Sequence, residues 1–188
     1  MTFEKTVTLK DGRNCLLRNG VTSDGKAVLD VFNRTHEETD YLLTYSDENC
    51  FTASQEADFL QRKTDSANNV EIIAVVDDVV AGTAGIDALG MRDKIKHRAV
   101  FGIAITKKFW GLGIGKYLME ACIECAREAG YLQLELEVVA ENERAVEMYR
   151  RAGFIEYSHR QHSHLGAGDG DTGDGEFEHL EQGCARQL

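Results

Sequence analysis

Val100-Phe101-Gly102-Ile103-Ala104-Ile105-Thr106, followed by Trp110-Gly111-Leu112-Gly113-Ile114-Gly115-Lys116, is the stretch that decides the fold. The first run, from Arg98, is apolar throughout, as in a central strand covered on both faces. The glycines open a helix predicted to run to about Ala129, with Gly130 as its C-terminal stop. Glycines ahead of a helix let backbone pass close to a ligand, and the first free N–H groups bind anionic oxygens. Two phosphate loops fail here. A Walker loop needs glycine where Trp110 stands and Ser or Thr where Tyr117 stands. The dinucleotide fingerprint G-x-G-x-x-G fails because this is G-x-G-x-G, placed mid-chain after a run of antiparallel strands.

Working outward, Thr6 to Asn19 predicts a strand pair turning at Asp11-Gly12. Ser23 or Asp24 caps a helix whose apolar face is Val28, Val31, Phe32, Thr35 and Leu42. A second helix spans Ala53 to Lys63, with Thr52 and Gln55 as a capping box. Val70–Val76 and Val79–Ile86 form a hairpin across Asp77-Asp78. Downstream, Leu132, Leu134, Leu136 and Val138 alternate with Gln133, Glu135 and Glu137 as a strand. Asn142 caps a short helix that ends at Gly153, and Phe154 to Tyr157 starts one more strand.

The second informative stretch is Val139-Ala140-Glu141-Asn142-Glu143-Arg144-Ala145-Val146-Glu147-Met148-Tyr149-Arg150-Arg151-Ala152-Gly153-Phe154. With the glycine loop about 30 residues upstream, it closely resembles the GNAT superfamily of acetyl-coenzyme A-dependent N-acetyltransferases. The family's loop reads Q/R-x-x-G-x-G/A, and Trp110 stands in the Gln/Arg place. The resemblance covers about 150 residues, to Tyr157. It implies an α+β, three-layer α/β/α fold: a mostly antiparallel mixed sheet of six to seven strands, with helices on both faces. The sheet splays between the family's fourth and fifth strands, here Arg98–Thr106 and Leu132–Val139. Residues 1–157 would form this domain, leaving 158–188 as a divergent Gly-, Asp- and His-rich segment.

The resemblance also implies residue roles. Backbone at Ile103, Ala104 and Ile105 would pair with the pantetheine arm of acetyl-coenzyme A. The loop Gly111, Leu112, Gly113, Ile114, Gly115 and Lys116 would hold its pyrophosphate, and Asn142 would contact the arm from the other side. Tyr149 matches the family's general acid to the leaving thiolate, and a phenol near pKa 10 keeps its proton at neutral pH. Taken by itself, Tyr149 packs on a helix face with Ala145 and Ala152. The base is open: Glu135, Glu137, Asp87, Glu37, Glu38, His97 or a water chain. Glu38, Thr39 and His97 are candidates for contact with the acceptor. The implied activity is acetyl transfer to a primary amine of a small molecule or peptide. The alternatives are a non-catalytic coenzyme A-binding module and an acyltransferase for longer chains. Dimerisation is common in the family, so a homodimer is compatible.

Composition sets the outer bounds. The chain has 188 residues, no proline, and a net charge of −11. That balance argues against a general nucleic-acid binder. No run approaches the roughly 18 apolar residues of a membrane span, and Met1 to Lys10 lacks a signal peptide's apolar core. Five scattered cysteines point to a reducing cytoplasm and free thiols. Cys122 and Cys125 fall on the apolar stripe of the glycine-loop helix, which makes them core residues rather than a redox pair. No metal is expected. His159, His162, His164 and His179 fit no ligand spacing, and Asp169, Asp171 and Asp174 fail as a calcium loop. Residues 158–188 lack the alternation of a strong strand pair, with at most Glu176 to Glu181 as a short strand, so the sheet is expected to be open there or completed by a partner chain. The charge is uneven: Met91 to Lys116 holds seven bases and one acid, a basic stretch beside the proposed phosphate loop.

Overall fold

The strand hairpins are set by turn chemistry. Asp77 and Asp78 both adopt positive φ, at 51° and 61°. A two-residue turn of this hand matches the twist of the strands it joins. It connects β3 (Val70–Val76) to β4 (Val79–Ala88). Ahead of them, β1 (Glu4–Thr8) and β2 (Asn14–Asn19) pair around Gly12, where φ is 88°. A computed structural model describes residues 1–42, 44, 48, 50–163 and 178–188 of the chain.

The remaining strands are β5 (Arg98–Ile105), β6 (Gln133–Val139), β7 (Ile155–Ser163) and β8 (Glu178–Gln187). All eight form one sheet in the order β1-β2-β3-β4-β5-β6-β8-β7. Every pairing is antiparallel except β5 with β6. That parallel pairing covers only Arg98↔Gln133, Ala99↔Leu134 and Val100↔Glu135. Beyond Val100 the two strands separate, so the expected splay is present.

Helices α1 (Gly25–Glu38) and α2 (Ala53–Asp65) cover one face through Val28, Leu60 and Ile73. Helices α3 (Ile114–Glu128) and α4 (Glu143–Arg151) cover the other, where Leu118, Cys122 and Cys125 meet Val70, Ile72 and Ala74. The α2 capping box forms as expected: Gln55 N–H donates to Thr52 Oγ1, and Thr52 N–H donates to Gln55 Oε1 at 2.8 Å. The α1 cap differs. Asp24 makes no side-chain cap to α1; instead it pairs with Arg18 and accepts from Val21 N–H. A guanidinium on the neighbouring strand outcompetes the helix N–H groups for this carboxylate.

The C-terminal expectation is overturned. β7 and β8 form a long antiparallel pair, and β8 also pairs with β6 from Val139↔Glu181 to Gln133↔Gln187. The sheet is completed within the chain, with eight strands instead of six or seven, and the boundary at 157 falls inside β7. The alternation was weak because β8 lies between two strands and draws its order from backbone ladders on both edges. Its buried members are the small Gly183 and Cys184, which give little hydropathy signal. The stretch 164–177, with its histidine and three aspartates, lies outside the described residues.

Candidate active site

The splay creates a cleft of about 1960 Å³ lined by both diverging strands, the glycine loop, α3 and α4. Backbone faces it on the β5 side. Thr106 N–H donates to Ala81 O on β4 at 3.0 Å. Donors alternate sides along an antiparallel ladder, so Gly102 and Ala104 pair with β4 while Ile103 and Ile105 turn their N–H and C=O groups to the gap. Of these, the Ile105 carbonyl is taken by the Trp110 indole N–H at 2.6 Å. Trp110 thus fastens the loop to β5, and the Arg144 guanidinium from α4 lies over its ring at 5.2 Å.

The loop is a hollow made of main chain. Gly111 and Gly113 have φ of 82° and 96°, and Gly113 is the N-cap of α3 with no side chain to cap it. A Cβ on Gly111 would stand in open space, and one on Gly113 would meet nothing nearer than 3.8 Å. The first N–H groups of α3 therefore face an accessible hollow. Gly115 serves packing: a Cβ there would come within 2.9 Å of Met148 Sδ. Gly111, Gly113, Ile114, Gly115 and Lys116 line the cleft. Leu112 does not; its side chain packs on the core and its carbonyl accepts Lys10 N–H at 3.2 Å.

On the opposite wall, Asn142 caps α4 by accepting Ala145 N–H at 3.2 Å. Its side-chain NH₂ has no partner among the described residues. Tyr149 is 7% exposed and packs edge-on against Phe101 and Phe154, with ring centroids 6.2 and 5.9 Å away. Its hydroxyl has no hydrogen-bond partner among the described residues, and the residue lines the cleft. Burial pushes the phenol well above its ordinary range, with the Cys184 thiol acting in the same direction. Tyr149 therefore holds its proton throughout neutral pH.

Of the other expected residues, Thr39, Asp87, Glu135 and Glu137 line the cleft, and Glu37, Glu38 and His97 do not. Glu135 is buried on the pairing edge, bound by Arg98 Nε and, at 2.7 Å, by Arg98 Nη2; Gln133 adds a third bond at 2.9 Å. Both its oxygens are committed to clamping β5 to β6 where the splay begins. His97 lies at the closed end of the splay, outside the cleft lining, and its carbonyl accepts the N–H groups of Leu132 and Gln133. Glu38 accepts Lys107 N–H at 2.5 Å, tying α1 to the end of β5, while Thr39 does line the cleft. Glu37 is exposed and away from the cleft; Glu137 is exposed within it.

The basic stretch divides. Arg92, Lys94 and Lys96 precede β5, and the glycine loop follows it, about 26 Å away at 3.3 Å per strand residue. Of the seven bases only Lys116 lines the cleft, joined by Lys10, Arg127, Arg144, Arg151 and Arg186, which come from distant sequence positions. Glu71 on β3 was not anticipated. Burial pushes its carboxyl up to about 7, Asp87 and Glu56 add to this, and Lys63 and a Thr83 hydrogen bond oppose it. The cysteine reading agrees with the structure: Cys122 and Cys125 are buried, and burial pushes Cys125 up to about 12. Among the described residues no group of His, Cys, Asp and Glu could hold a metal ion. No helix among them is long and apolar enough to cross a membrane.

An open sheet splayed around a glycine-capped helix has close structural relatives. The GNAT-family acetyltransferase of Streptococcus pneumoniae matches 93% of this chain and 99% of its own, at 24% identity and a TM-score of 0.81. The yncA protein of Salmonella typhimurium, solved with its cofactor acetyl-CoA, matches 93% and 94% at 15% identity and a TM-score of 0.77. The sequence model of the Acetyltransferase (GNAT) family matches residues 30–154, so the chain belongs to that family. Among curated proteins, L-amino acid N-acetyltransferase AaaT of Escherichia coli K12 is 30% identical over 95 residues, half of this chain. The matches span less than two thirds of the curated relatives, 58% of AaaT and 18% of a mycothiol acetyltransferase from Propionibacterium freudenreichii.

Proposed function

We propose that this protein transfers an acetyl group from acetyl-coenzyme A to a primary amine. The observation that carries this reading is the conjunction, in one cleft, of a bare glycine cradle, a strand edge turned to the gap and a buried phenol with no hydrogen-bond partner among the described residues. Acetyl-coenzyme A supplies the acyl thioester. The N–H groups of Gly113 to Lys116 and the cleft bases bind its phosphates. The N–H groups of Ile103 and Ile105 orient the arm and stabilise negative charge on oxygen during transfer. Asn142 presents its amide hydrogens, unpartnered among the described residues, to the opposite side of the arm. Tyr149 delivers its proton to the leaving sulfur. The enclosing aromatics, Phe101 and Phe154, keep water from that proton.

An assay of thiol release from acetyl-coenzyme A with a panel of primary amines, read alongside the mass of each amine, tests the activity. Amine-dependent release with an acetylated product is expected. Cofactor binding without release above the amine-free rate would reduce the protein to a coenzyme A-binding module.

A further inference from the structure

A second, smaller pocket of about 230 Å³ lies behind β5, under the C-terminal half of α1. It shares Leu42, Asp87, Gly102, Ile103 and Ala104 with the large cleft, so the two adjoin at β5. Its floor is a bare strip of sheet. Glu71, Gly85 and Gly102 are register partners on β3, β4 and β5, and therefore share a face. Glu71 Oε2 occupies the space above Gly85, only 2.1 Å from where a Cβ would stand. Above Gly102 the space is open, with nothing within 4 Å of that position. Glycine inside a strand weakens it and marks close approach by another group. Here one glycine admits a carboxylate and the next leaves room beside it.

The charges around Glu71 are unequally shared. Lys63 of α2 is 5% exposed and gives its ammonium to Asp87 at 2.5 Å and to the Ile86 carbonyl. Glu71 stands 4.0 Å from the same nitrogen, with its side chain 14% exposed into the pocket. The other groups near it are Glu56 on α2, Thr83 on β4, and Cys122 on α3 behind the sheet. His36 lines the pocket from α1, but both its nitrogens are engaged. Nδ1 lies 2.7 Å from the Phe32 carbonyl, which only accepts, so Nδ1 carries the proton and Nε2 accepts from the Thr44 hydroxyl at 2.9 Å. Glu71 is thus the pocket carboxylate that is held weakly.

We propose that this pocket holds the acceptor, a small amine with no carboxylate beside its nitrogen, and that Glu71 takes the amine's proton. The inference rests on the acetyltransferase reading. The size argues for a small ligand, since 230 Å³ equals about seven or eight waters at liquid density. Phe32 and Leu42 supply an apolar wall. No Arg or Lys lines the pocket among the described residues, and Lys63, 4.0 Å from Glu71, is already engaged by Asp87, so an incoming carboxylate would face the carboxylates of Glu71 and Asp87. The ammonium gives one proton to ionised Glu71, which passes it to solvent. The C–N bond then forms as the C–S bond breaks. The nitrogen then loses its second proton, which returns to the Tyr149 phenolate left when the phenol protonates sulfur. Glu71 titrates near neutrality, where it can both hold an ammonium and accept from it.

The test uses the full chain with butylamine, ethanolamine and L-alanine as probes, and follows thiol release across the neutral pH range. Wild type is expected to favour the two simple amines over L-alanine by at least about tenfold, with kcat/KM bending near pH 7. Glu71→Gln is expected to lose about 100-fold in kcat/KM and the bend with it, while acetyl-coenzyme A affinity stays within about threefold. Three results overturn the proposal: a wild-type rate and bend in Glu71→Gln, an equal loss of acetyl-coenzyme A affinity, or L-alanine as the best acceptor. If wild type binds acetyl-coenzyme A but acetylates no amine, the acetyltransferase reading fails on its own. Carbon-13 NMR of glutamate-labelled protein then decides the subsite. Butylamine moving the carboxyl signal that Glu71→Gln lacks supports it, and no movement overturns it.

Discussion

The two sides of β5 are built from different materials. Toward the splay, the site is backbone: the Gly111–Gly115 cradle, the helix N–H groups behind it, and the edge at Ile103 and Ile105. Toward α1, the site is side chain: Glu71 overhanging Gly85, Lys63 shared with Asp87, and His36 saturated by Phe32 and Thr44. A backbone site is fixed by the fold. A side-chain site varies with each substitution, which is why the proposal places the choice of acceptor there.

The largest effect expected from breaking this division is on Gly113. With φ at 96°, Gly113→Val strains the loop by about 1–3 kcal/mol and fills the cradle. Acetyl-coenzyme A affinity, measured by calorimetry, should fall by at least about tenfold, with every amine affected alike. The acceptor side should respond with the opposite sign in stability. Glu71 has a folded pKa raised to about 7 from 4.5, so the folded state binds the extra proton between those values. Stability is therefore lost as pH rises through that window. Glu71→Gln removes the cost, and thermal melts should show the variant gaining on wild type from pH 5 to 7.5, by up to about 2–3 kcal/mol. A variant that is more stable yet less active is the signature of a functional carboxylate; equal melting at all pH values would say that Glu71 is simply solvated.

The clamp between the two sides supplies an intermediate case. Arg98→Met leaves buried Glu135 with Gln133 as its one remaining side-chain partner among the described residues, and should destabilise by a few kcal/mol in denaturant unfolding. Glu135→Gln should be milder and should leave the pH profile of transfer in place; a lost bend would make Glu135 the base. The smallest effect is expected at the buried thiols: Cys122→Ala should leave the rate insensitive to reductant, as in wild type.

The same division explains what could be read from the sequence. The cradle was legible because its parts are contiguous: three glycines, a strand before and a helix after. Tyr149 and Asn142 were legible for the same reason, lying on one short capped helix. Glu71 was hidden because its setting is assembled across three strands and α2, and its exposure depends on two glycines that look unremarkable one at a time. Glu135 sat on the polar face of an alternating strand, and only the parallel pairing with β5 revealed Arg98 as its partner. The C-terminal strands were missed because β8 is ordered by ladders on both edges rather than by its own pattern. The basic stretch misled by adjacency: a strand of eight residues separates its two halves, and five of the cleft's six bases come from elsewhere.

The most direct test of the account is thiol release by wild type and Tyr149→Phe, each saturated with acetyl-coenzyme A as checked by calorimetry. The account predicts equal cofactor affinity and a kcat lower by about 100-fold in the variant, since only the proton delivered to sulfur is removed. A Tyr149→Phe enzyme that turns over at the wild-type rate would contradict it and return Tyr149 to the aromatic packing of Phe101 and Phe154.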